Sequence, residues 1–345
     1  MSITRPFVIR EEPTPEVVEL LESVTLGTNG ARYRHLDTPS RIAQLYQPLF
    51  LTLERNEKVI GNITFCRRPC GAYVRYFAFA EDYQNKTKNQ KESKKEGYLK
   101  SQIKQFFKNA LEGKQKDLKT DLFYAFIDPR NERSLWMSQS FGFKPVAKIA
   151  TQSFSRIKPK QEKSVMKLTD KHKDLVKEKV KGQYKDYSLY FDHHTFNESP
   201  FYGFFEDNEL VALTKVHRAK WVIERLPSRS GGFLRAVIPY VPGLRKLITP
   251  DEHSFAVIDS LWYRSGDPKL LTSFFEGILY EEKVNSFIWW VDQKDPVYKQ
   301  VKKSVNWGLM HKLNGVSEID LVMLKNATVE LNEEKPFYTT GFDFI

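Results

Sequence analysis

Charged residues gather between Glu81 and Lys95, and they offer the first candidate chemistry in the chain. Glu81 and Asp82 end an apolar run, Ala72–Ala80, where a carboxylate can serve either as a general base or as a solvated turn residue. Lysines 86, 88, 91, 94 and 95 follow, partly offset by Glu92 and Glu96, before Gly97 closes the segment. Such lysines grip an anion through flexible point charges. The alternative is a solvated loop without a ligand. The pair His193-His194 suggests acid–base or metal work, but neighbours on a strand point to opposite faces, which argues against one shared site. Cys66 and Cys70 are the only cysteines, and a structural zinc needs four ligands, so no metal site is expected. Reduced thiols are the expected state. No Ser-His-Asp pattern, P-loop or dinucleotide fingerprint is legible.

The sharpest local signal runs from Ile127 to Phe143: a strand end, Asp128-Pro129-Arg130, Asn131 as helix cap, about three helical turns and a Gly142-Phe143 stop. Gly142 suits the left-handed position that ends a helix and lets Phe143 fold back on Met137.

The elements that must position these residues follow from pattern. A strand at Phe7–Arg10 precedes a helix beginning near Pro15. Leu51–Arg55 and Lys58–Arg67 read as a hairpin turning at Asn56-Glu57. A helix over Tyr98–Leu111 presents Ile103, Phe106, Phe107 and Ala110 on one face. Leu122–Ile127 is a buried strand, Glu132–Phe141 a helix and Pro145–Ser155 a closing strand.

The order then recurs. Leu53 to Val59 matches Phe205 to Val211, Phe106-Phe107 matches Phe274-Phe275, and Phe123 to Asn131 matches Phe287 to Asp295. Three matches in one order predict two ancestral copies of one domain: 1–157, a polar linker 158–164, and 165–345.

Composition agrees with a folded protein of that size: 41% hydrophobic, 28% charged and 14% aromatic in 345 residues. A net charge of +11 favours anionic partners without naming one. The N-terminus lacks the apolar core of a signal peptide, and no run approaches the ~20 apolar residues of a membrane span. The expected location is the cytoplasm. Phe233–Leu247, interrupted by Pro239, Pro242 and Gly243, reads as a loop with an apolar face.

The Ile127–Phe143 string resembles the Asn-x-x-Ser…Gly-Phe segment that follows the fifth strand of GNAT-type N-acetyltransferases. The resemblance covers residues 7–155 directly and 165–326 through the repeat. It implies an α/β (α+β) fold of two tandem GNAT-like domains, each a mixed, mostly antiparallel sheet flanked by helices. It implies that the fourth and fifth strands part to admit acetyl-CoA or another acyl-CoA, with Phe77, Ala78, Phe79 and Ala80 along the pantetheine and Asn131 at the cofactor. The family grips pyrophosphate with a Gly-rich turn; here only Gly97 stands there, and Lys91, Lys94 and Lys95 take its place. Many members protonate the leaving thiolate with a Tyr, a position that Ser138 holds here. Glu81 or Asp82 stands where a family base acts, and some relatives use the C-terminal carboxylate, here of Ile345.

Two functional classes follow. One is a CoA-dependent N-acyltransferase working in the N-terminal half on a small amine or amino acid, with an acidic acyl-carrier protein as a second acyl source. The other is a non-catalytic acyl-CoA-binding or sensing protein. Nucleic acid ranks third, since basic charge comes without a recognised binding module.

Overall fold

Two tight turns close the two hairpins. Asn56 and Glu57 have φ of +50° and +61°, and Asp207 and Asn208 have +49° and +65°, the paired left-handed geometry whose twist matches antiparallel strands. The computed structural model describes residues 6–27, 31–80, 97–196, 199–226, 231–264, 267–332 and 334–345.

The first stretch of chain gives β1 (Phe7–Arg10), α1 (Pro15–Ser23), β2 (Arg32–His35), α2 (Thr38–Ala43), β3 (Pro48–Arg55), β4 (Lys58–Arg68) and β5 (Gly71–Phe79). α3 (Tyr98–Leu111), β6 (Leu122–Ile127), α4 (Glu132–Phe141) and β7 (Lys144–Ser155) follow. The remainder forms β8 (Val165–Lys167), α5 (Lys173–Tyr184), β9 (Phe201–Glu206), β10 (Glu209–Arg225), α6 (Gly231–Val237), α7 (Leu244–Leu247) and β11 (His253–Tyr263). It ends with α8 (Pro268–Glu281), β12 (Ser286–Asp292), α9 (Pro296–Val301), α10 (Leu309–Asn314), β13 (Ser317–Lys325) and α11 (Gly341–Phe344). The order hairpin, strand, helix, strand, helix, strand therefore occurs twice.

The chain divides into two compact units, and neither is continuous in sequence. Unit one takes Met1–Leu26, Leu36–Val146 and Leu321–Leu331; unit two takes Gly27–His35, Ala147–Asp320 and Asn332–Ile345. The polar stretch 158–164 lies within unit two, as does the part of β7, Ile149 to Ser155, that pairs with β12.

In unit one the strands run β1-β3-β4-β5-β6 and then Leu321–Lys325 of β13. β1 with β3, β3 with β4 and β4 with β5 pair antiparallel, and β5 pairs parallel with β6. Phe65, Phe106, Phe107, Phe123, Phe141 and Phe143 build its core, with Val322 from β13 among them. The helix face read from sequence is the face that is buried: Ile103, Phe106, Phe107 and Ala110 are each at most 4% exposed.

Unit two orders its strands β7-β12-β11-β10-β9-β8, with β2 pairing along the far part of β10. Phe274 and Phe275 of α8 are fully buried, as their counterparts in α3 are. Trp289 and Trp290 are buried strand residues of the core.

Phe233–Leu247, expected as a loop, is instead mostly helical. α6 continues into a 3-10 turn at Ile238–Tyr240, and Gly243 at φ +93° starts the one-turn α7. The prolines and glycine limit each helix to a turn or two, leaving Phe233 71% and Tyr240 85% exposed. Among the described residues no helix is long and apolar enough to cross a membrane.

Candidate functional site

In unit one, β5 and β6 run parallel but pair only at Ala72↔Phe123 and Tyr73↔Tyr124. Beyond that point no register joins the two strands among the described residues as they run on to Phe79 and Ile127, and they form a fork. Its base is held by aromatic packing: Tyr73 stacks on Tyr124 at 5.2 Å between ring centres, and the buried Arg68 donates from Nη1 to the Tyr124 hydroxyl at 2.6 Å. A register shift between Thr64 and Phe65 places a bulge at Arg75, where the strand turns away.

Main-chain polarity along the fork follows from one hydrogen bond. Ala80 N–H donates to the Ile60 carbonyl at 3.0 Å, so even-numbered residues past the bulge face β4. Phe77 and Phe79 then direct N–H and C=O across the fork, since strand groups alternate. Their rings lie toward the helices, Phe77 6.1 Å from Phe141. Ala78 is buried, whereas Phe77, Phe79 and Ala80 keep part of their surface. This strand can meet an extended amide-bearing ligand by backbone pairing.

At the end of β6, Asn131 Oδ1 accepts from Ser134 N–H at 3.1 Å, capping α4. The cap occupies the carbonyl and leaves the amide nitrogen as the group able to donate to a ligand. Gly142 ends the same helix at φ +97°, and Phe143 N–H returns to the Ser138 carbonyl at 3.0 Å. Ser138 is buried, and its hydroxyl donates to the Leu135 carbonyl at 2.8 Å, back into its own helix. Gly97 caps α3 without any side-chain bond, and a Cβ there would meet nothing within 4 Å. Among the described residues the first N–H groups of α3 therefore have no side-chain partner at the cap, a setting that suits an anion. Glu81, Asp82, Lys91, Lys94 and Lys95 lie outside the described residues.

Unit two has the matching fork, and its own chain fills it. β11 and β12 pair in parallel only at Ala256↔Phe287, Val257↔Ile288 and Ile258↔Trp289. Past Asp259 the tail enters: Phe337 N–H donates to Asp292 Oδ2 at 2.8 Å, and Thr339 Oγ1 donates to the Trp290 carbonyl at 2.8 Å. The cavity left beside them is about 10 Å³, room for one water.

Around that tail lies a buried polar cluster. Asp259 Oδ2 accepts from His217 Nε2 at 2.9 Å, Thr340 Oγ1 at 3.0 Å and Gly341 N–H at 2.6 Å. Its Oδ1 accepts from Ser260 Oγ at 2.8 Å. Ser260 gives its proton to the carboxylate, so Tyr338 donates to Ser260 at 2.8 Å; the Tyr338 hydroxyl also lies 2.7 Å from Thr195 Oγ1. Burial pushes the Asp259 carboxyl up, but the charge and hydrogen bond of His217, with Lys215 and Ser260, outweigh it and hold the pKa at about 2. Lys215, fully buried, is pushed down to about 8 by desolvation, with Asp259 opposing. Ile345 is buried against Ala219, Trp221, Phe255 and Val257.

His193 and His194 sit on a turn, not a strand, so the alternation rule does not separate them: their rings are 5.1 Å apart. His194 is wholly buried and stacks on Phe342 at 4.0 Å. Sequence reasoning missed this cluster because His217 and Asp259 are 42 residues apart and meet only through the register of β10 on β11.

No protein-family model matches the chain, and no curated protein matches it in sequence. Solved structures do. One of Saccharomyces cerevisiae N-myristoyltransferase with bound myristoyl-CoA is 9% identical at TM-score 0.56, over 94% of this chain and 84% of that one. A second of the same enzyme gives 8% and 0.57, over 94% and 80%. A GCN5-related N-acetyltransferase from Sphaerobacter thermophilus is 9% identical at TM-score 0.50, over 99% of both chains. The chain thus has a GNAT-type acyltransferase fold, a mixed and mostly antiparallel sheet flanked by helices.

Proposed function

We propose that this protein is an acyl-CoA-dependent N-acyltransferase whose donor site is the fork between β5 and β6. The observation that carries this reading is the contrast between the two forks: residues 337–339 occupy the one in unit two. In unit one, Phe77, Phe79 and Ala80 keep solvent access where the strands part. A pantetheine arm would pair with Phe77 and Phe79, and the Asn131 amide would meet it. The α3 N-terminus at Gly97, with Lys91, Lys94 and Lys95, would take the pyrophosphate. Glu81 or Asp82 is the proposed base and a small amine or amino acid the acceptor, acetyl-CoA or a longer acyl-CoA the donor, and the cytoplasm the compartment. An acidic acyl-carrier protein is the second acyl source to test.

Ser138 favours a second reading, binding without turnover. Its hydroxyl is engaged with Leu135 and is a poor acid for a leaving thiolate.

A thermal-shift series with CoA, acetyl-CoA and myristoyl-CoA tests ligand binding, since a ligand at 100 times its Kd stabilises by about 2.7 kcal/mol. Asn131→Ala should weaken CoA binding by roughly 0.5–1.5 kcal/mol, one net hydrogen bond. A melting temperature that no acyl-CoA raises would end the donor-site reading. Binding without thiol release across a panel of amines would select the second reading.

A further inference from the structure

Three side chains distant in sequence meet in unit two in an order that implies nucleophilic chemistry. Ser199 precedes β9, His217 lies on β10 and Asp259 on β11. Ser199 Oγ is 3.0 Å from His217 Nδ1, and His217 Nε2 is 2.9 Å from Asp259 Oδ2.

Charged, His217 lowers the Asp259 pKa; in its neutral form, the one that can act as a base, donor inventory sets the proton positions. A carboxylate only accepts, so Nε2 carries a proton toward Asp259. In the neutral ring Nδ1 is then the acceptor, and the Ser199 hydroxyl donates to it. This is the proton arrangement of a base-activated serine, with the ring turned so that Nε2 rather than Nδ1 faces the acid.

The rest of the cluster holds that ring still. The His217 and Asp259 side chains have no exposure. Asp259 is fixed by three further donors, Thr340, Gly341 and Ser260. The tail packs against the ring so closely that a Cβ on Gly341 would lie 2.9 Å from His217 Cδ2. Ser199 alone of the three keeps part of its surface, so the serine end of the chain of bonds is the less enclosed end. A locked base, a buried orienting acid and a hydroxyl on a partly exposed residue are what an acyl-accepting site requires. A merely structural cluster has little reason for this order, because buried ion pairs replaced by apolar residues often cost nothing.

We propose that Ser199 is an acyl-accepting nucleophile, with His217 as its base and Asp259 as the residue positioning that base, acting on activated esters and thioesters of small acyl groups. Ser199 Oγ adds to the carbonyl carbon as its proton passes to His217 Nδ1. The C–O or C–S bond to the leaving group breaks, and the leaving alkoxide or thiolate takes that proton. Water then adds to the serine ester, again through Nδ1, releasing the carboxylic acid and restoring the hydroxyl. The net reaction is hydrolysis, one water consumed per ester. It does not depend on the CoA-fork reading.

The test uses the full chain with a fluorophosphonate probe and with p-nitrophenyl acetate. The expected result is one phosphonylated peptide carrying Ser199 and an esterase rate that falls about 100-fold or more in Ser199→Ala. Because Ser199 is half-buried, its alanine variant should keep the parent melting temperature, which separates lost chemistry from lost fold. His217→Asn should abolish labelling. Absence of probe on Ser199 in the folded protein, or a Ser199→Ala rate equal to the parent's, overturns the proposal.

Discussion

Asp295 offers a perturbation whose sign is opposite to ordinary expectation. It caps α9: Oδ1 accepts from Tyr298 N–H at 2.8 Å, and Tyr187 donates to Oδ2 at 3.2 Å. The residue is only 2% exposed. Burial raises its pKa from 3.8 to about 6, against the lowering effect of the Tyr298, Tyr187 and Val297 hydrogen bonds and with help from Asp292. Between those two values the folded chain holds a proton that the unfolded chain has released. Stability therefore falls as pH rises through the window, and the whole penalty is present above pH 6. Two units at 1.36 kcal/mol each give about 3 kcal/mol at pH 7 and roughly half of that at pH 5. Asn has the same shape, keeps the carbonyl that caps Tyr298 and carries no charge. Asp295→Asn should exceed the parent in stability by up to about 3 kcal/mol at pH 7, with a smaller margin at pH 5. Guanidinium unfolding followed by tryptophan fluorescence reads this, since Trp289 lies 5.6 Å from the Tyr298 ring. A variant that is weaker by the same amount at both pH values would refute the reasoning. The cap's anionic hydrogen bonds would then outweigh the burial cost.

Gly142→Ala should destabilise unit one by about 1–2 kcal/mol through the left-handed backbone alone. Asparagine there should cost less, and paired unfolding curves would check both. Phe107→Ala, removing a ring 4.8 Å from Phe123 in the core, should cost about 3–5 kcal/mol in the same assay. Asp259 behaves in the opposite sense to Asp295: its depressed pKa adds roughly 2 kcal/mol above pH 4, lost as pH falls toward 2. An acid titration of parent against Asp259→Asn should show that slope vanish. Replacing Lys91, Lys94 and Lys95 together with Gln should remove most of the salt dependence of CoA binding, because exposed charges are screened over ~8 Å at physiological salt.

Local chemistry made much of the fold legible. Asn56-Glu57 and Asp207-Asn208 announce their hairpins because few residues accept positive φ in succession. Gly142 announces the end of α4 for the same reason. The Phe pairs of α3 and α8 announce buried faces through helical spacing. What stayed hidden is non-local. Nothing in the string Ser317–Lys325 says that its second half completes the first unit's sheet. The tail Phe337–Ile345 reads as an ordinary polar-aromatic end, yet it lies in the second fork and supplies Thr340 and Gly341 to Asp259. Ser199 and His217 are each unremarkable in sequence; their meeting depends on the pairing of β9 with β10. At α10 the helix stop is Gly315 at φ +65°, with Val316 after it in place of the Phe that marks the first copy.

The path of the chain also sets a schedule for its synthesis. Unit one needs Leu321–Lys325 beside β6, and the intervening Ala147–Asp320 must leave the ribosome first. At ~5–20 residues per second that is a wait of roughly 10–35 seconds. Throughout it the first unit exists as a nascent intermediate with one edge of its sheet unsatisfied. Edges of that kind recruit strands from other chains, so chaperone dependence should be greatest during this interval. A stalled chain ending after Ser155 should be captured by chaperones or aggregate, while one extended past Lys325 should resist proteolysis within unit one.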